Sequence, residues 1–93
     1  MTGKERAEWR KLANTLPAIF QIGKDNLSDA LIEGVDGALK KRELIKLSVL
    51  ETSDLSAREA AQALAEKLDA EIIQCIGRKF VLYRENPDKE TEN

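Results

Sequence analysis

The sequence predicts a compact single α/β domain with a four-stranded mixed sheet, and three observations lead to that fold class. Helical and alternating apolar spacings follow one another in the order α-β-α-β-α-β-β along 93 residues,. Two of the helices each connect two strands, which favours right-handed crossovers between strands. The last two strand segments are separated only by Gly77-Arg78, a spacer typical of an antiparallel hairpin. A chain of this length supports one core.

The first helix and the first strand meet at a proline. An apolar stripe at helical spacing predicts a helix over residues 4–15, formed by Trp9, Leu12, Ala13 and Leu16,. Pro17 ends this helix because it restricts the residue before it to extended geometry. The mostly apolar run at 18–22 that follows predicts a short strand,.

The second helix starts at an N-cap and ends in a run of cations. Ser28 is the predicted N-cap, and the cations at 40–42 suit the negative end of the helix dipole,. Gly34 and Gly37 lie inside this helix, where each costs about 0.8–1 kcal/mol relative to alanine. We interpret both glycines as positions where a neighbouring element packs closely.

The second half of the chain contains a strand, a helix and a hairpin. Residues 44–50 alternate, which predicts a half-buried strand with Lys46 and Ser48 on the side away from the core,. A capping box that begins at Ser56 opens the helix predicted over 57–68. Two further strands are predicted over residues 70–76 and 79–84. How the three helices divide between the two faces of the sheet stays open.

The absence of histidine excludes several classes of chemistry. The chain has no histidine and a single cysteine, Cys75. Histidine-dependent triads, histidine general bases and histidine-ligated zinc are therefore impossible within this sequence. One cysteine cannot form an internal disulfide, and we interpret Cys75 as a small buried hydrophobic residue. We expect no enzymatic activity, no metal site and no cofactor.

Charge is distributed unevenly along the chain. The formal net charge is −2, but residues 1–24 carry +3 and residues 85–93 carry −3. Such asymmetry is a hint of nucleic-acid contact, although ordinary surface solvation produces the same pattern. We expect one domain over residues 1–85, followed by a disordered acidic tail at 86–93 that has nothing to bury. No apolar run approaches the ~20 residues of a membrane span, and we expect a cytoplasmic monomer without membrane contact.

The segment Gly23–Asn26 is the most informative in the chain. It joins the first strand to the second helix, so its backbone N–H groups would lie at the positive end of a helix dipole and suit a phosphate. Lys24 adds a positive charge. Many α/β proteins have such turns without a ligand, so a plain connecting loop stays open as an interpretation. We expect this loop on the surface, where substitution of Lys24, Asp25 or Asn26 would leave stability unchanged.

Four segments resemble the YhbY-type CRM domain, named for chloroplast RNA splicing and ribosome maturation. They are Arg10–Ala13, Phe20–Lys24, Arg42–Leu47 and Ile76–Arg84, and the similarity covers residues 3–84 in the right order and spacing. The resemblance implies a fold related to the C-terminal domain of bacterial translation initiation factor three. It also implies RNA binding and, in bacteria, association with precursors of the large ribosomal subunit.

The family carries a Gly-x-x-Gly loop, comparable to the loop that clamps the RNA backbone in KH domains. In this chain the loop falls on Gly23–Asn26, and Asn26 replaces the second glycine. Asparagine is the residue most able to replace glycine where φ is positive, so we expect the turn to survive. Asp25 adds a negative charge beside the predicted phosphate path. Whether these two residues weaken RNA binding stays open.

The predicted RNA-binding surface has three parts, and its predicted ligand is ribosomal RNA of a precursor large subunit rather than DNA. The parts are the first helix with Lys4, Arg6, Arg10 and Lys11, the loop with Gly23, Lys24, Asp25 and Asn26, and the hairpin with Arg78, Lys79 and Arg84. Each cation of the first helix is also compatible with an ordinary solvated helix face, and the hairpin cations are also compatible with protection of an edge strand. The alternative function is a ribosome-associated protein–protein adaptor that uses the acidic tail or an exposed sheet face.

Overall fold

A computed structural model of the chain describes residues 2–85 and has the element order that the sequence predicts. The elements are α1 (Gly3–Ala13), β1 (Ala18–Ile22), α2 (Asp29–Arg42), β2 (Leu44–Val49), α3 (Ala57–Leu68), β3 (Glu71–Ile76) and β4 (Lys79–Tyr83). Their ends differ from the predicted segments by at most two residues. The tail predicted at 86–93 lies outside the described residues. Within residues 2–85, no helix is long and apolar enough to cross a membrane.

The four strands form one mixed sheet in the order β1-β2-β4-β3. β1 and β2 pair in parallel across the α2 crossover, whereas β4 is antiparallel to both β2 and β3. The hairpin prediction is confirmed, with Gly77 at φ +60° in its turn, a conformation that glycine adopts without a steric cost. Because β4 inserts between β2 and β3, the α3 crossover joins strands that are not neighbours.

The main core lies between the sheet and the two helices α2 and α3. Its largest fully buried side chains are Phe80, Ile22, Leu39, Ile45, Leu47, Leu64 and Leu82. The three residues of β2 that the alternation assigns to the core, Ile45, Leu47 and Val49, all belong to this cluster. Each such aliphatic side chain contributes roughly 1.5–3 kcal/mol when it is removed from water.

The opposite face of the sheet is covered only in part, by α1. A second cluster here contains the buried residues Ala13, Leu44, Ile73 and Val81. Trp9 packs against Tyr83 with ring centroids 4.6 Å apart, which confirms that Trp9 is a packing residue. Burial, and then the negative charge of Glu43, raises the pKa of Tyr83. The sequence left open how the helices divide between the two faces. In the structure, α2 and α3 cover one face and α1 covers part of the other.

Local chemistry fixes where α2 and α3 begin. The Ser28 hydroxyl accepts a hydrogen bond from the Leu31 N–H at 3.2 Å, as expected of an N-cap,. At α3 the Ser56 hydroxyl accepts from the Glu59 N–H while the Glu59 carboxylate accepts from the Ser56 N–H, which confirms the capping box,. The second of these bonds lowers the pKa of Glu59.

The two glycines inside α2 have different surroundings. A Cβ atom at Gly34 would lie 3.1 Å from the Phe20 ring, so β1 approaches the helix closely there, as the sequence analysis interpreted it. A Cβ atom at Gly37 would meet nothing within 4 Å. The close-packing interpretation is therefore wrong for Gly37.

Candidate functional site

The loop Gly23–Asn26 forms a tight turn between β1 and α2. The Asn26 N–H donates to the Gly23 carbonyl at 2.9 Å, and Asn26 has φ 51°. This is the left-handed conformation that favours glycine and tolerates asparagine. The turn therefore survives the replacement of the second glycine, as the sequence analysis expects.

The side chain of Asn26 has a structural role that the sequence did not predict. Its Oδ1 atom accepts hydrogen bonds from the Ser53 hydroxyl at 2.9 Å and from the Asp54 N–H at 3.0 Å. These bonds tie the loop to the connection between β2 and α3. Glycine could not make them, so in place of unchanged stability the structure predicts a loss of stability when Asn26 is substituted.

The absence of a side chain at Gly23 lets the loop approach the same connection between β2 and α3. A Cβ atom at Gly23 would lie 3.3 Å from the Thr52 hydroxyl oxygen, closer than most side chains tolerate. The loop borders a shallow depression of ≈ 460 Å³, lined by Gln21, Gly23, Lys24, Asp25, Asn26, Ser28 and Leu31. Lys24 and Asp25 are exposed. Within residues 2–85, Lys24 forms no ion pair.

The hairpin turn lies at the same end of the sheet as the loop, which we call the loop end. The Val49 N–H at the end of β2 donates to the Arg78 carbonyl at 2.7 Å. The Arg78 side chain pairs with Glu51 at 3.4 Å, and both side chains are exposed, so the pair contributes little stability. Lys79 is exposed. The fold thus brings the loop and two of the three predicted hairpin cations to the same end of the sheet.

α1 packs over the part of the sheet away from the loop, which we call the helix end. Lys4, Arg10 and Lys11 are exposed. The Arg6 guanidinium, in contrast, is bonded within the fold. It donates to the Ile72 carbonyl at 2.6 Å and contacts Glu71 at 3.4 Å, which anchors α1 to β3. The three-part surface that the sequence predicts is therefore split between two ends.

Arg84, the third hairpin cation, faces into the fold, whereas the sequence analysis placed it on the RNA-binding surface. Its guanidinium donates to the Asp36 carboxylate at 2.8 Å, to the Leu68 carbonyl at 2.9 Å and to the Asp36 carbonyl at 3.1 Å. Its side chain is only 19% exposed. The bond from Arg84, assisted by Lys40, lowers the pKa of Asp36 against the effect of its partial burial. We therefore assign Arg84 to the structure of the domain and leave it out of the proposed interface.

One cation in the middle of the sheet is missing from the predicted surface. Lys46 is on the face of β2 opposite to the main core, and its Cα partners are Ala18 and Val81. The alternation of residues 44–50 already indicated this orientation, but did not say which part of that face α1 leaves uncovered.

Within residues 2–85, no cluster of three or more acidic, cysteine or histidine side chains could hold a metal ion.

The fold and the loop together define a small α/β domain with a glycine-started turn at a helix N-terminus. The model of the CRS1/YhbY (CRM) domain family matches residues 1–84. The chain therefore belongs to the CRM domain family, as the resemblance in the sequence implied.

Relatives with this domain are named for RNA binding. The chain is 38% identical over 88 residues to a Bacillus subtilis protein named Probable RNA-binding protein YqeI, covering 95% of this chain and 92% of that protein. It is 35% identical over 86 residues to a Methanocaldococcus jannaschii protein with a similar name, covering 90% of this chain and 63% of that protein.

A solved structure has the same fold. The solution structure of a Staphylococcus aureus protein, described as a candidate RNA-binding protein, matches with a TM-score of 0.77 and 40% identity. The match covers 92% of this chain and 90% of the other. The predicted fold class, a single α/β domain with a four-stranded mixed sheet, is thereby confirmed.

Proposed function

We propose that the protein binds ribosomal RNA in the cytoplasm, acts in assembly of the large ribosomal subunit, and does so as a monomer without catalysis. Membership of the CRM family and the names of its relatives support RNA binding. The observation that carries the proposal is the loop at residues 23–26. It retains the left-handed turn at Asn26, opens onto a depression and presents Lys24 without an ion-pair partner in residues 2–85.

The physical basis of the proposed contact is electrostatic. A turn at a helix N-terminus offers backbone N–H groups and the positive end of the helix dipole to a phosphate. Lys24 supplies the neighbouring charge, and Asp25 opposes it. Phosphate contacts position an RNA without reading its sequence, so we expect broad RNA binding that weakens strongly with salt.

Substitutions in the loop test this contact. Lys24→Glu is expected to weaken RNA binding and reduce the magnitude of the salt slope by roughly 1, whereas Asp25→Lys is expected to tighten binding. Lys67→Glu is the matched control, because Lys67 is exposed in the last turn of α3. Affinities for a labelled RNA, titrated against salt, give both quantities. Unchanged binding in both loop variants would contradict the role of the loop.

The ribosomal target requires an experiment in cells. Ultraviolet cross-linking followed by sequencing of the attached RNA is expected to recover large-subunit ribosomal RNA and its precursors. Recovery of random RNA, or of none, would contradict the proposal.

The adaptor alternative makes a different prediction about salt. An apolar protein interface would respond weakly to salt, unlike contacts with phosphates. The exposed large hydrophobic side chains within residues 2–85 belong to four different segments: Leu12, Ile19, Leu50 and Ile76. Single exposed side chains of this kind are ordinary on a protein surface, so they do not favour an adaptor.

A further inference from the structure

The uncovered half of the sheet is a second surface of the domain, next to the loop. On the face opposite to the main core, one row of Cα partners crosses all four strands at the loop end: Gln21, Ser48, Lys79 and Ile76. The next row is Ala18, Lys46, Val81 and Gln74. The third row, which includes Leu44 and Tyr83, lies beneath α1.

The exposure of these rows follows the position of α1. Val81 is buried beside Ala13, whereas Lys46, Ser48 and Gln74 are half-buried, Gln21 and Lys79 are exposed, and Ile76 is 67% exposed. We call the accessible residues of the two rows the open sheet face: Gln21, Lys46, Ser48, Gln74, Ile76 and Lys79. Gln21 also lines the depression beside the loop, so the two surfaces are continuous.

The charge of the open sheet face has one sign. Lys46 and Lys79 are diagonal neighbours on adjacent strands, with Cα atoms roughly 7–8 Å apart. Neither row contains an acidic residue. Within residues 2–85, neither lysine forms an ion pair. Two like charges held this close without a counter-charge indicate a surface suited to an anionic ligand.

A cation of α1 borders the same face. Successive helix residues are rotated by about 100°, which places Glu5 and Arg10 on opposite sides of the packed stripe that contains Trp9. Glu5 lines a depression with Tyr83 and Glu71 at the outer ends of the strands. Arg10 lies on the other side of this stripe and its side chain is exposed, so we place it at the border of α1 with the open sheet face.

The open sheet face lacks the groups that read unstacked bases. The chain has four aromatic residues. Trp9 of α1 packs against Tyr83 of β4, and Phe20 and Phe80 pack in the main core. Sheets that bind single-stranded RNA do so by stacking bases on aromatic side chains, whereas helical RNA is recognised through phosphates and 2′-hydroxyl groups. Lysine, serine and glutamine side chains supply donors and acceptors for the second kind of contact.

We propose that the open sheet face binds an A-form RNA helix, with Lys46, Lys79 and Arg10 on phosphates and Gln21, Ser48 and Gln74 on 2′-hydroxyl groups. This inference rests on the proposed function and specifies its ligand as helical RNA. The face extends the interface from the loop at residues 23–26 across the width of the sheet.

The test compares three forms of one sequence with the full-length protein. The probes are an RNA duplex of about 16 base pairs, a length that double-stranded RNA-binding domains span, one of its single strands and the corresponding DNA duplex. The RNA duplex is expected to bind most tightly. The double variant Lys46→Gln, Lys79→Gln is expected to bind it about tenfold more weakly, with the magnitude of the salt slope reduced by roughly 2.

Three control variants separate charge from structure. The double variant Lys41→Gln, Lys67→Gln removes the same charge from exposed positions on α2 and α3, on the other side of the sheet, and should bind like the parent. Lys46→Arg, Lys79→Arg keeps the charge and should retain the salt slope. If loss of Lys46 prevents folding, judged by circular dichroism, Lys79→Gln alone should reduce the slope by roughly 1.

The outcomes separate this inference from the proposed function. Failure of the parent to bind any RNA would overturn both proposals. Binding by the parent together with unchanged binding in the Lys46, Lys79 double variant would overturn the role of the open sheet face alone. Tighter binding of the single strand, or equal binding of the DNA duplex or of polyglutamate, would overturn the assignment to an RNA helix.

Discussion

The helix end and the loop end of the sheet use their cations in different ways. At the helix end, Arg6 and Arg84 donate hydrogen bonds to main-chain carbonyls and carboxylates, and these bonds join the helices to the sheet. At the loop end, Lys24 and Lys79 form no ion pair within residues 2–85, and the same holds for Lys46 in the middle of β2. One end is therefore held together by its cations, and the other presents them to solvent.

The difference follows the chemistry of the two side chains. A guanidinium group has five donors in a rigid plane and can satisfy several acceptors at once, as Arg84 does here,. An ammonium group is a compact, strongly hydrated charge on a flexible stem. Arg78 is the exception, because it lies at the loop end in an exposed pair with Glu51. The number of cations in the sequence therefore overestimates the number available to a ligand.

Removal of Arg84 tests the helix end and has the largest expected effect. Arg84→Gln breaks three hydrogen bonds and leaves their acceptors poorly satisfied, so the free energy of unfolding should fall by about 2–3 kcal/mol. Urea denaturation measures this change. Arg58→Gln, an exposed position on α3, is the control and should stay within about 0.5 kcal/mol of the parent. A stable Arg84→Gln variant with weakened RNA binding would place Arg84 in the interface after all.

Substitution of Asn26 tests whether the loop end also contains structural ties. Asn26→Ala removes two accepted hydrogen bonds and places a Cβ residue at positive φ without their support, so we expect a loss of about 2 kcal/mol. Asn26→Gly loses the same bonds but relaxes the backbone, and its expected loss is about 1 kcal/mol. Urea denaturation compares the two, and hydrogen exchange at the Asp54 amide reports the lost bond directly. Equal stability in the parent and both variants would show that the hydrogen bonds of Asn26 to Ser53 and Asp54 do not stabilise the fold.

The anchor of α1 has a smaller expected effect. Arg6→Gln removes the bond to the Ile72 carbonyl and the contact with Glu71, and should cost about 1 kcal/mol in thermal or urea denaturation. Lys4→Gln on the same helix is the matched control, because Lys4 is exposed. RNA affinity should be unchanged in Arg6→Gln, because the Arg6 guanidinium is bonded to Ile72 and Glu71 within the fold. A loss of affinity in Arg6→Gln without a loss of stability would show that Arg6 binds RNA and does not anchor α1.

Acid should remove the smallest contribution, that of the Asp36 carboxylate. The Arg84 hydrogen bond lowers the pKa of Asp36 in the folded state, so this group stabilises the fold above its unfolded pKa of about 4 and loses that effect as pH falls through the folded pKa. Its side chain is 35% exposed, and the contribution should stay below about 1 kcal/mol. The stability difference between the parent and Asp36→Asn should shrink below about pH 4. A constant difference across pH would show that the charge of Asp36 does not matter.

Local sequence signals predicted the elements of the fold well. The alternation of β2, the capping box at Ser56 and the Gly77-Arg78 spacer each act over a few residues, and the structure confirms all three. The insertion of β4 between β2 and β3 could not be predicted, because strand order depends on contacts between distant segments. The same is true of the position of α1, which decides which half of the sheet stays open.

The candidate site was predictable only in part, for the same reason. The positive φ of Asn26 followed from its place in a glycine-like turn, but its bonds to Ser53 and Asp54 join segments 27 and 28 residues apart. Arg84 looked like a hairpin cation because its partner Asp36 lies 48 residues earlier. Neither partnership leaves a pattern in the local sequence.

The pairing of β2 with β4 has a thermodynamic consequence. Ser48 and Lys79 are Cα partners, as are Lys46 and Val81, so the two lysines of the open sheet face become neighbours only when segments more than thirty residues apart have joined. A ligand that contacts both lysines recognises the native state and not the unfolded chain. Its binding is therefore linked to folding, and at a free concentration 100 times its Kd it raises the free energy of unfolding by about 2.7 kcal/mol.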